Sequence, residues 1–267
     1  MRLAEALLKL LNTIISLLLG ALLVIAGFFC VYAIWDAQQV YQQVDDLAVS
    51  LQAFRPGTGA QEETRPGLAE LQQMNPDVCG WLTLEGTAID YPVLQGRTNL
   101  VYLSTDAFGK YSLAGSIFLD SRNSREADDP YLLVYGHHMD DHRMFGDLEL
   151  YLDRAFFDAQ QGGAFLTPRR SFRVLPFLCM SAKETEQLFF DPELASLSLP
   201  ALLDEAERRA VCLDKGLLEE IKAAAQDESR KPPPVLAMAT CAEGAAEDRT
   251  LLLAALRPFG EEGEARG

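Results

Sequence analysis

Hydrophobic and polar positions divide the chain into an apolar N-terminal run, one amphipathic segment and a long series of short strands. No residue between Lys9 and Asp36 is charged, and Leu, Ile, Val, Ala and Phe dominate this run. As a helix it is long enough to cross a bilayer core of about 30 Å. The run is too long for a cleaved signal peptide, and Tyr32–Asp36 is a poor cleavage site. The pattern therefore predicts an uncleaved transmembrane anchor over residues 10–35.

The basic residues on either side of the anchor predict its orientation. Arg2 and Lys9 precede the run, whereas the next basic residue after it is Arg55. Basic residues are retained on the cytoplasmic side of membrane helices. We therefore expect a single-pass protein of the cell membrane, with residues 1–9 in the cytoplasm and the domain after the anchor outside the cell.

Residues 36–77 are predicted to form an N-terminal helical segment and a linker. Apolar side chains recur at spacings of four and three, which predicts an amphipathic helix that packs on its own domain. These side chains are Val40, Val44, Leu47, Leu51 and Phe54. Arg55–Pro66 is polar and contains Gly and Pro, so we expect a linker there. A short helix is predicted over Leu68–Met74.

From Val78 onward the pattern changes to short β-rich runs separated by turn signals. Strands are predicted at Trp81–Leu84, Ala88–Leu94, Ser116–Asp120, Tyr131–Tyr135, twice within Ala164–Ala182, and at Val235–Thr240 and Leu251–Leu256. Helices are predicted at Met144–Tyr151, at Ala155–Gln160, and in an insertion over Pro200–Gln226 before the strand that carries Cys241. Short strands with helices in their connections indicate a mainly β fold with helical additions, a closed β-barrel over residues 78–260. Residues 261–267 are expected to be a disordered tail.

Composition excludes one class of partner and leaves one question about the cysteines open. The formal net charge of −16 repels phosphate backbones, so nucleic acid is not expected as a partner. The five cysteines are Cys30, Cys79, Cys179, Cys212 and Cys241, an odd and sparse set that is not a disulfide framework. Three of these thiols, at positions 79, 179 and 212, are expected to be buried and inert. The sequence leaves open whether Cys179 and Cys212 form a disulfide.

Three side-chain types that act together in acyl transfer occur at the edges of strand-like runs. All three histidines, His137, His138 and His142, fall within six residues. Cys241 ends one apolar run and Arg249 opens the next. In a cysteine transpeptidase a thiolate attacks the carbonyl, an imidazole moves the proton, and a fixed cation stabilises the oxyanion or holds the peptide. The pattern predicts such a site on His137, Cys241 and Arg249.

Two other interpretations of these residues are weaker. His138 and His142 are four residues apart, as zinc ligands on a helix are, but Asp140 and Asp141 predict a loop. We therefore expect neither a metal ion nor another cofactor, and we expect His142 to be a solvated loop residue. Papain-like peptidases place the cysteine before the histidine, whereas here the histidine comes first.

Several blocks of the chain resemble, in order and in spacing, the signature of the class B sortases. The blocks are Gly80–Leu82, Gly86–Gly96, Tyr102–Leu103, Ala114–Asp120, Tyr135–Met139, Met144–Leu148 and Ala239–Cys241, with Arg249. The resemblance covers about residues 78–257. The chain departs from the family pattern at Ala237 and Ala239, where the family usually has Thr and Ser, and at His138, where it often has Asn.

The resemblance implies an eight-stranded sortase β-barrel in which His137 is the catalytic histidine, Cys241 the nucleophile and Arg249 the arginine of the site. It implies that a C-terminal sorting motif of secreted proteins is cleaved through a thioacyl-enzyme. The new carboxyl end then passes to an amine of a peptidoglycan precursor on the outer face of a Gram-positive-type cell. Two alternatives stay open: a pilin-polymerising sortase with a lysine acceptor, and a catalytically inactive sortase-like binding module, which only Ala237 and Ala239 favour.

Overall fold

The computed structural model describes residues 2–57, 66–159, 162–227, 232–241 and 248–259. Most of the predicted linker, and the predicted tail over residues 261–267, lie outside these described residues. The chain divides into two compact units, Met1–Asp46 and Leu47–Gly267.

A single helix, α1 (Arg2–Gln52), covers both the predicted anchor and the predicted amphipathic segment. The helix is continuous because neither Gly nor Pro interrupts residues 28–52. Within the described part of the chain, α1 is the one helix long and apolar enough to cross a membrane. Its side chains over residues 10–35 are exposed, which is consistent with a single membrane anchor.

The second unit contains the strands and the remaining helices. The strands are β1 (Val78–Leu84), β2 (Asp90–Leu94), β3 (Ile117–Leu119), β4 (Tyr131–Met139), β5 (Arg143–Met144), β6 (Gly163–Leu166), β7 (Ser171–Lys183), β8 (Cys212–Leu213), β9 (Val235–Cys241) and β10 (Asp248–Pro258). The helices are α2 (Pro66–Met74), α3 (Arg154–Ala159), α4 (Gln187–Phe190), α5 (Pro192–Leu197), α6 (Leu199–Arg209) and α7 (Lys215–Gln226), with 3₁₀ helices at Val101–Leu103 and Gly146–Leu152.

Eight of the strands form a closed ring in the order β10-β9-β4-β3-β2-β1-β6-β7, and the pairing of β7 with β10 completes it. The short strands β5 and β8 lie outside the ring and pair with β4 and β7. The pairs β2–β3 and β4–β9 are parallel, and the other pairs are antiparallel. The eight-stranded closed barrel expected from the sequence is confirmed.

Alternate residues of β9 and β10 lie on opposite faces of the barrel wall. On the outer face, Ala237 and Leu253 belong to one buried cluster with helices α4 to α7. On the other face, Met238 and Leu252 are also fully buried. Because apolar residues are buried on both faces, these strands form continuous hydrophobic runs rather than an alternating pattern.

Strand β4 extends further than the sequence predicted. The prediction ended the strand at Gly136, whereas β4 continues to Met139. A Cβ at Gly136 would lie 2.3 Å from Ile117 Cδ1 and 2.7 Å from Phe145 Cγ. Glycine here therefore marks a close approach of neighbouring side chains, not the end of the strand.

The helical insertion is also longer than predicted, because α4 and α5 begin before Pro200. The Asp191 carboxylate accepts hydrogen bonds from the amides of Glu193 and Leu194, and Pro192 occupies the first turn of α5. These are the usual signals of a helix start. Met144–Tyr151, predicted to be a helix, is the end of a short strand followed by a 3₁₀ helix.

Candidate active site

The ends of β4 and β9 lie side by side. These strands pair in parallel from Tyr131 opposite Val235 to His137 opposite Cys241. Neighbouring strands are about 4.8 Å apart, and paired residues lie on the same face. The structure therefore brings His137 next to Cys241, on the outer face of the barrel, although 103 residues separate them in the sequence.

Arg249 lies near the start of β10, beside the end of β9. β10 pairs antiparallel with β9, and Leu251 opposite Ala239 is the pair nearest to the site. Continuing this register by two residues sets Arg249 opposite Cys241. The Arg249 Nη1 group donates a hydrogen bond to the Thr240 carbonyl at 3.2 Å. The three residues predicted from the sequence thus meet on one face of three adjacent strands.

The site is largely removed from solvent. Cys241 is 7% exposed and Arg249 is 6% exposed, and His137 is partly exposed. Low exposure reduces the screening of charges by water, so the interactions between a thiolate, an imidazolium and a guanidinium are stronger here than on the surface.

The His137 ring is oriented by a backbone carbonyl. Its Nε2 nitrogen lies 2.8 Å from the carbonyl oxygen of Leu103, which ends the first 3₁₀ helix. A carbonyl oxygen only accepts hydrogen bonds, so this contact assigns the proton of the neutral ring to Nε2. Nδ1 is then the ring nitrogen that does not carry the proton of the neutral ring. Sequence reasoning missed this partner because any residue carries the same carbonyl group.

The helical insertion supplies two further contacts to Arg249. Its guanidinium forms an ion pair with Glu184, between β7 and α4. Its Cζ atom also lies 5.8 Å from the centre of the Phe190 ring, within the range of a cation–π interaction. Neither residue falls in a motif block, and both are far from position 249 in the sequence. No signal in the sequence pointed to them.

A buried ion pair connects the barrel to this insertion. Asp120 is fully buried, and its two carboxylate oxygens accept hydrogen bonds from Arg122 Nε at 2.9 Å and Nη2 at 2.8 Å. Burial opposes the charge on Asp120, but the hydrogen bonds from Arg122 outweigh it and hold the pKa of this carboxyl below its ordinary value. Arg122 also donates to the Phe190 carbonyl at 2.9 Å and pairs with Asp191 at 3.1 Å. This network therefore fixes the segment that contacts Arg249.

Tyr135 lies on the same face of β4, two residues before His137. Burial, followed by the charge of Asp120, raises the pKa of Tyr135 above its ordinary value, so the hydroxyl stays protonated. This hydroxyl donates to Asp120 Oδ2 at 3.4 Å. Because alternate residues of β4 share a face, Tyr135 lies on the same side of the strand as His137.

The other two histidines are not part of this cluster. His138 follows His137 in β4 and therefore lies on the opposite face. His142 is not simply solvated, because its Nδ1 lies 2.6 Å from Oδ1 of the buried Asp147, although the ring is 70% exposed. In the described ranges, no group of three or more His, Cys, Asp or Glu is arranged to hold a metal ion.

The two departures from the sortase pattern in β9 have a packing explanation. Ala237 and Ala239 are fully buried in the cluster beneath the helical insertion. A hydroxyl at either position would need a hydrogen-bond partner inside an apolar cluster, and an unpaired one is costly. Small apolar residues therefore suit this interface for a reason that does not involve the reaction.

The amino-acid sequence is similar to those of two curated proteins. No family model matches the chain. It is 36% identical to sortase B of Staphylococcus aureus over 146 residues, which is 55% of this chain. It is 45% identical to sortase B of Listeria monocytogenes over 102 residues, which is 38% of this chain. The matches span 59% and 42% of the lengths of these relatives.

Solved structures share the fold over a larger part of the chain. A class B sortase of Streptococcus pyogenes involved in pilus biogenesis is 29% identical, with a TM-score of 0.61 over 71% of this chain and 97% of that chain. A complex of Staphylococcus aureus sortase B with substrate is 25% identical, with a TM-score of 0.66 over 84% of this chain and 99% of that chain. A Bacillus anthracis protein similar to sortase B has the same fold, with a TM-score of 0.67 at 23% identity over 82% of this chain and 97% of that chain.

Proposed function

We propose that this chain, which belongs to the class B sortases, is a cysteine transpeptidase with Cys241 as its nucleophile. The observation that carries the proposal is the parallel pairing of His137 with Cys241, next to the start of β10 and Arg249. An imidazole and a guanidinium beside one thiol are the groups that acyl transfer through a thioester needs.

In the first half of the reaction, His137 holds the proton of the Cys241 thiol on Nδ1, and the Cys241 thiolate attacks the carbonyl carbon of the scissile peptide bond. The tetrahedral intermediate collapses when the bond to the leaving amine breaks, and His137 gives its proton to that amine. A thioester between Cys241 and the N-terminal part of the substrate remains. His137 Nδ1 is the acid in this step, because Nε2 is engaged by the Leu103 carbonyl.

In the second half, an amine attacks the thioester. His137 takes a proton from this amine, the tetrahedral intermediate collapses, and the Cys241 thiolate leaves. The product is a new amide bond between the substrate and the amine. The same imidazole thus serves first as acid and then as base, which returns the site to its starting protonation state.

Arg249 stabilises the oxyanion or holds the backbone of the substrate. It cannot carry the proton, because a guanidinium stays charged. Within the part of the chain that the structure describes, its buried Nε group has no hydrogen-bond partner. A buried donor without an acceptor is costly, and a substrate carbonyl would satisfy it. This favours a role of Arg249 in binding the reacting carbonyl.

The substrate class follows from the family. We propose that the enzyme acts on secreted proteins with a C-terminal sorting motif and that residues 10–35 anchor it in the cell membrane with the barrel outside. The Staphylococcus aureus relative was solved as a sortase B–substrate complex, which supports a substrate-binding site on this fold. The long apolar helix α1 supports the anchor.

Two amine acceptors are open to such an enzyme. Transfer to an amine of the cell wall is the first candidate. The similarity to a Streptococcus pyogenes class B sortase involved in pilus biogenesis favours a second candidate, the lysine side chain of a pilin. The two are distinguished when the thioester is offered a peptidoglycan-type peptide amine and a lysine-containing peptide together and the products are compared by mass.

Trapping the thioester tests the proposed function. The full-length protein in detergent is incubated with a library of peptides that resemble sorting motifs, without an added amine, and digested with a protease. We expect a mass adduct on the peptide that contains Cys241, and we expect hydroxylamine to remove it. An adduct on another cysteine, or none on Cys241 with any peptide of the library, would support the inactive binding module instead.

A further inference from the structure

Two cysteines outside the proposed active site face each other across adjacent strands. Cys179 of β7 is the direct register partner of Cys212 of β8 in an antiparallel pair. The Cα atoms of such partners lie about 4.5–5.5 Å apart, and both side chains lie on the same face. A disulfide requires a Cα separation of about 4.4–6.8 Å. We propose that Cys179 and Cys212 form a disulfide that fastens the helical insertion to the barrel.

The surroundings of the two thiols agree with this pairing. Both residues are buried, and Cys179 is fully so. Burial, and next the charge of Cys212, raises the pKa of the Cys179 thiol to about 12. Both thiols are free in the structure. Cys179 also pairs with Leu252 of β10, so it lies on the face opposite to the insertion and to Cys241.

The disulfide would close a loop that contains part of the active site wall. The segment between the two cysteines holds α4, α5 and α6, together with Glu184 and Phe190, the residues that contact Arg249. Strand β8 contains only two residues and is therefore a weak attachment by itself. A covalent bond at this point would restrict the unfolded loop and keep the insertion on β7.

The bond forms by thiol–disulfide exchange with a disulfide oxidant, and each step balances. The first thiolate attacks a sulfur of the oxidant, forms a mixed disulfide and releases one thiol. The second thiolate attacks the mixed disulfide, forms the Cys179–Cys212 bond and releases a second thiol. Two protons and two electrons pass to the oxidant. Cys212 is the first attacker, because it lies on the short edge strand beside the exposed Val211.

The test uses the full-length Cys241→Ala protein in detergent, which removes the proposed nucleophile and makes the result independent of transpeptidase activity. The protein is incubated with oxidised glutathione at alkaline pH, alkylated, digested without reductant and analysed by mass spectrometry. We expect the peptides that contain Cys179 and Cys212 to be joined, with the loss of two hydrogen atoms. Recovery of the two as separately alkylated or separately glutathionylated peptides would overturn the proposal.

A matched control and a second measurement separate a structural bond from accidental oxidation. In Cys79→Ala, which removes a buried thiol of β1, the linked peptide is expected to form unchanged, and in Cys212→Ala it is expected to be absent. Oxidation should raise the melting temperature by on the order of 5–10 °C in the Cys241→Ala protein. The same treatment should not change the melting temperature of the protein that carries both Cys241→Ala and Cys212→Ala. An equal rise in both proteins, or none in either, would overturn the role of this bond in fastening the insertion.

Discussion

The end of β9 and the pair β7–β8 both carry nearly buried cysteines, but their neighbours are different. Cys241 is 7% exposed and lies beside His137 and Arg249, whereas Cys179 is fully buried and lies opposite the thiol of Cys212. The two regions lie on opposite faces of the barrel wall. Burial alone therefore does not distinguish a reactive thiol from an inert one. The distinction comes from the charged or titratable groups on the same face.

Removing the thiol at the end of β9 should produce the largest effect. Cys241→Ala is expected to lower the rate of peptide cleavage by about 10³-fold or more, because the proposed nucleophile is lost. Cys79→Ala, the matched control in β1, should leave the rate within about twofold and change mainly stability. Both rates are measured with a fluorogenic sorting-motif peptide. Equal rates in the two variants would contradict the proposal that Cys241 is the nucleophile.

The guanidinium beside Cys241 should have the next largest effect. Arg249→Lys keeps the positive charge but loses the planar guanidinium, both the Nη1 group that donates to the Thr240 carbonyl and the buried Nε group. We expect kcat/KM to fall by roughly 10²–10³-fold, with the folded barrel intact by circular dichroism. Arg257→Lys, at the other end of β10, is the control and should behave as the unchanged protein does. Full activity of the Arg249→Lys variant would show that a point charge is sufficient.

A substitution at Gly136 tests whether the position of His137 depends on the close packing of β4. In Gly136→Ala the new methyl group would meet Ile117 and Phe145 at distances below 3.0 Å. We expect a loss of about 1–3 kcal/mol in the free energy of unfolding and a lower kcat. Gly216→Ala in α7 is the control, because its Cβ would have 3.4 Å to its nearest neighbour. Equal stability of both variants in urea unfolding would contradict the packing argument.

The smallest effect is expected at the exposed partner of Arg249. Glu184 is 66% exposed, so water and salt screen its ion pair with the buried guanidinium. We expect Glu184→Gln to change kcat/KM by about twofold to fivefold and to reduce the dependence of the rate on salt concentration. Glu220→Gln, which removes the exposed partner of Arg257, should change neither quantity. A loss as large as that of Arg249→Lys would mean that Glu184 takes a direct part in the reaction.

Several elements were predictable from local patterns. The apolar N-terminal helix, most barrel strands and the helices after Pro200 each bury or expose side chains with a period that the sequence shows. The chemistry of the site was also predictable, because imidazole, thiol and guanidinium groups are specific residue types at strand ends. The identity of His137, Cys241 and Arg249 as candidates therefore came from the chain alone, while their catalytic roles stay proposals.

Other features depended on contacts between distant segments. The prediction that the strand ends at Gly136 was wrong, because β4 continues to Met139. Glycine at position 136 makes room for Ile117 and Phe145 instead of forming a turn. The insertion that supplies Glu184 and Phe190 has no motif, and the Leu103 carbonyl has no side-chain signal at all.

Hydrophobic period and side-chain chemistry are local properties, so the order of residues was enough to establish which reactive groups are present and which segments form strands. The folded barrel, in contrast, determined which of these reactive groups lie next to each other. Register is the physical reason: a shift of one residue between β4 and β9 would turn the imidazole and the thiol to opposite faces. The same holds for β7 and β8, where register alone sets Cys179 against Cys212.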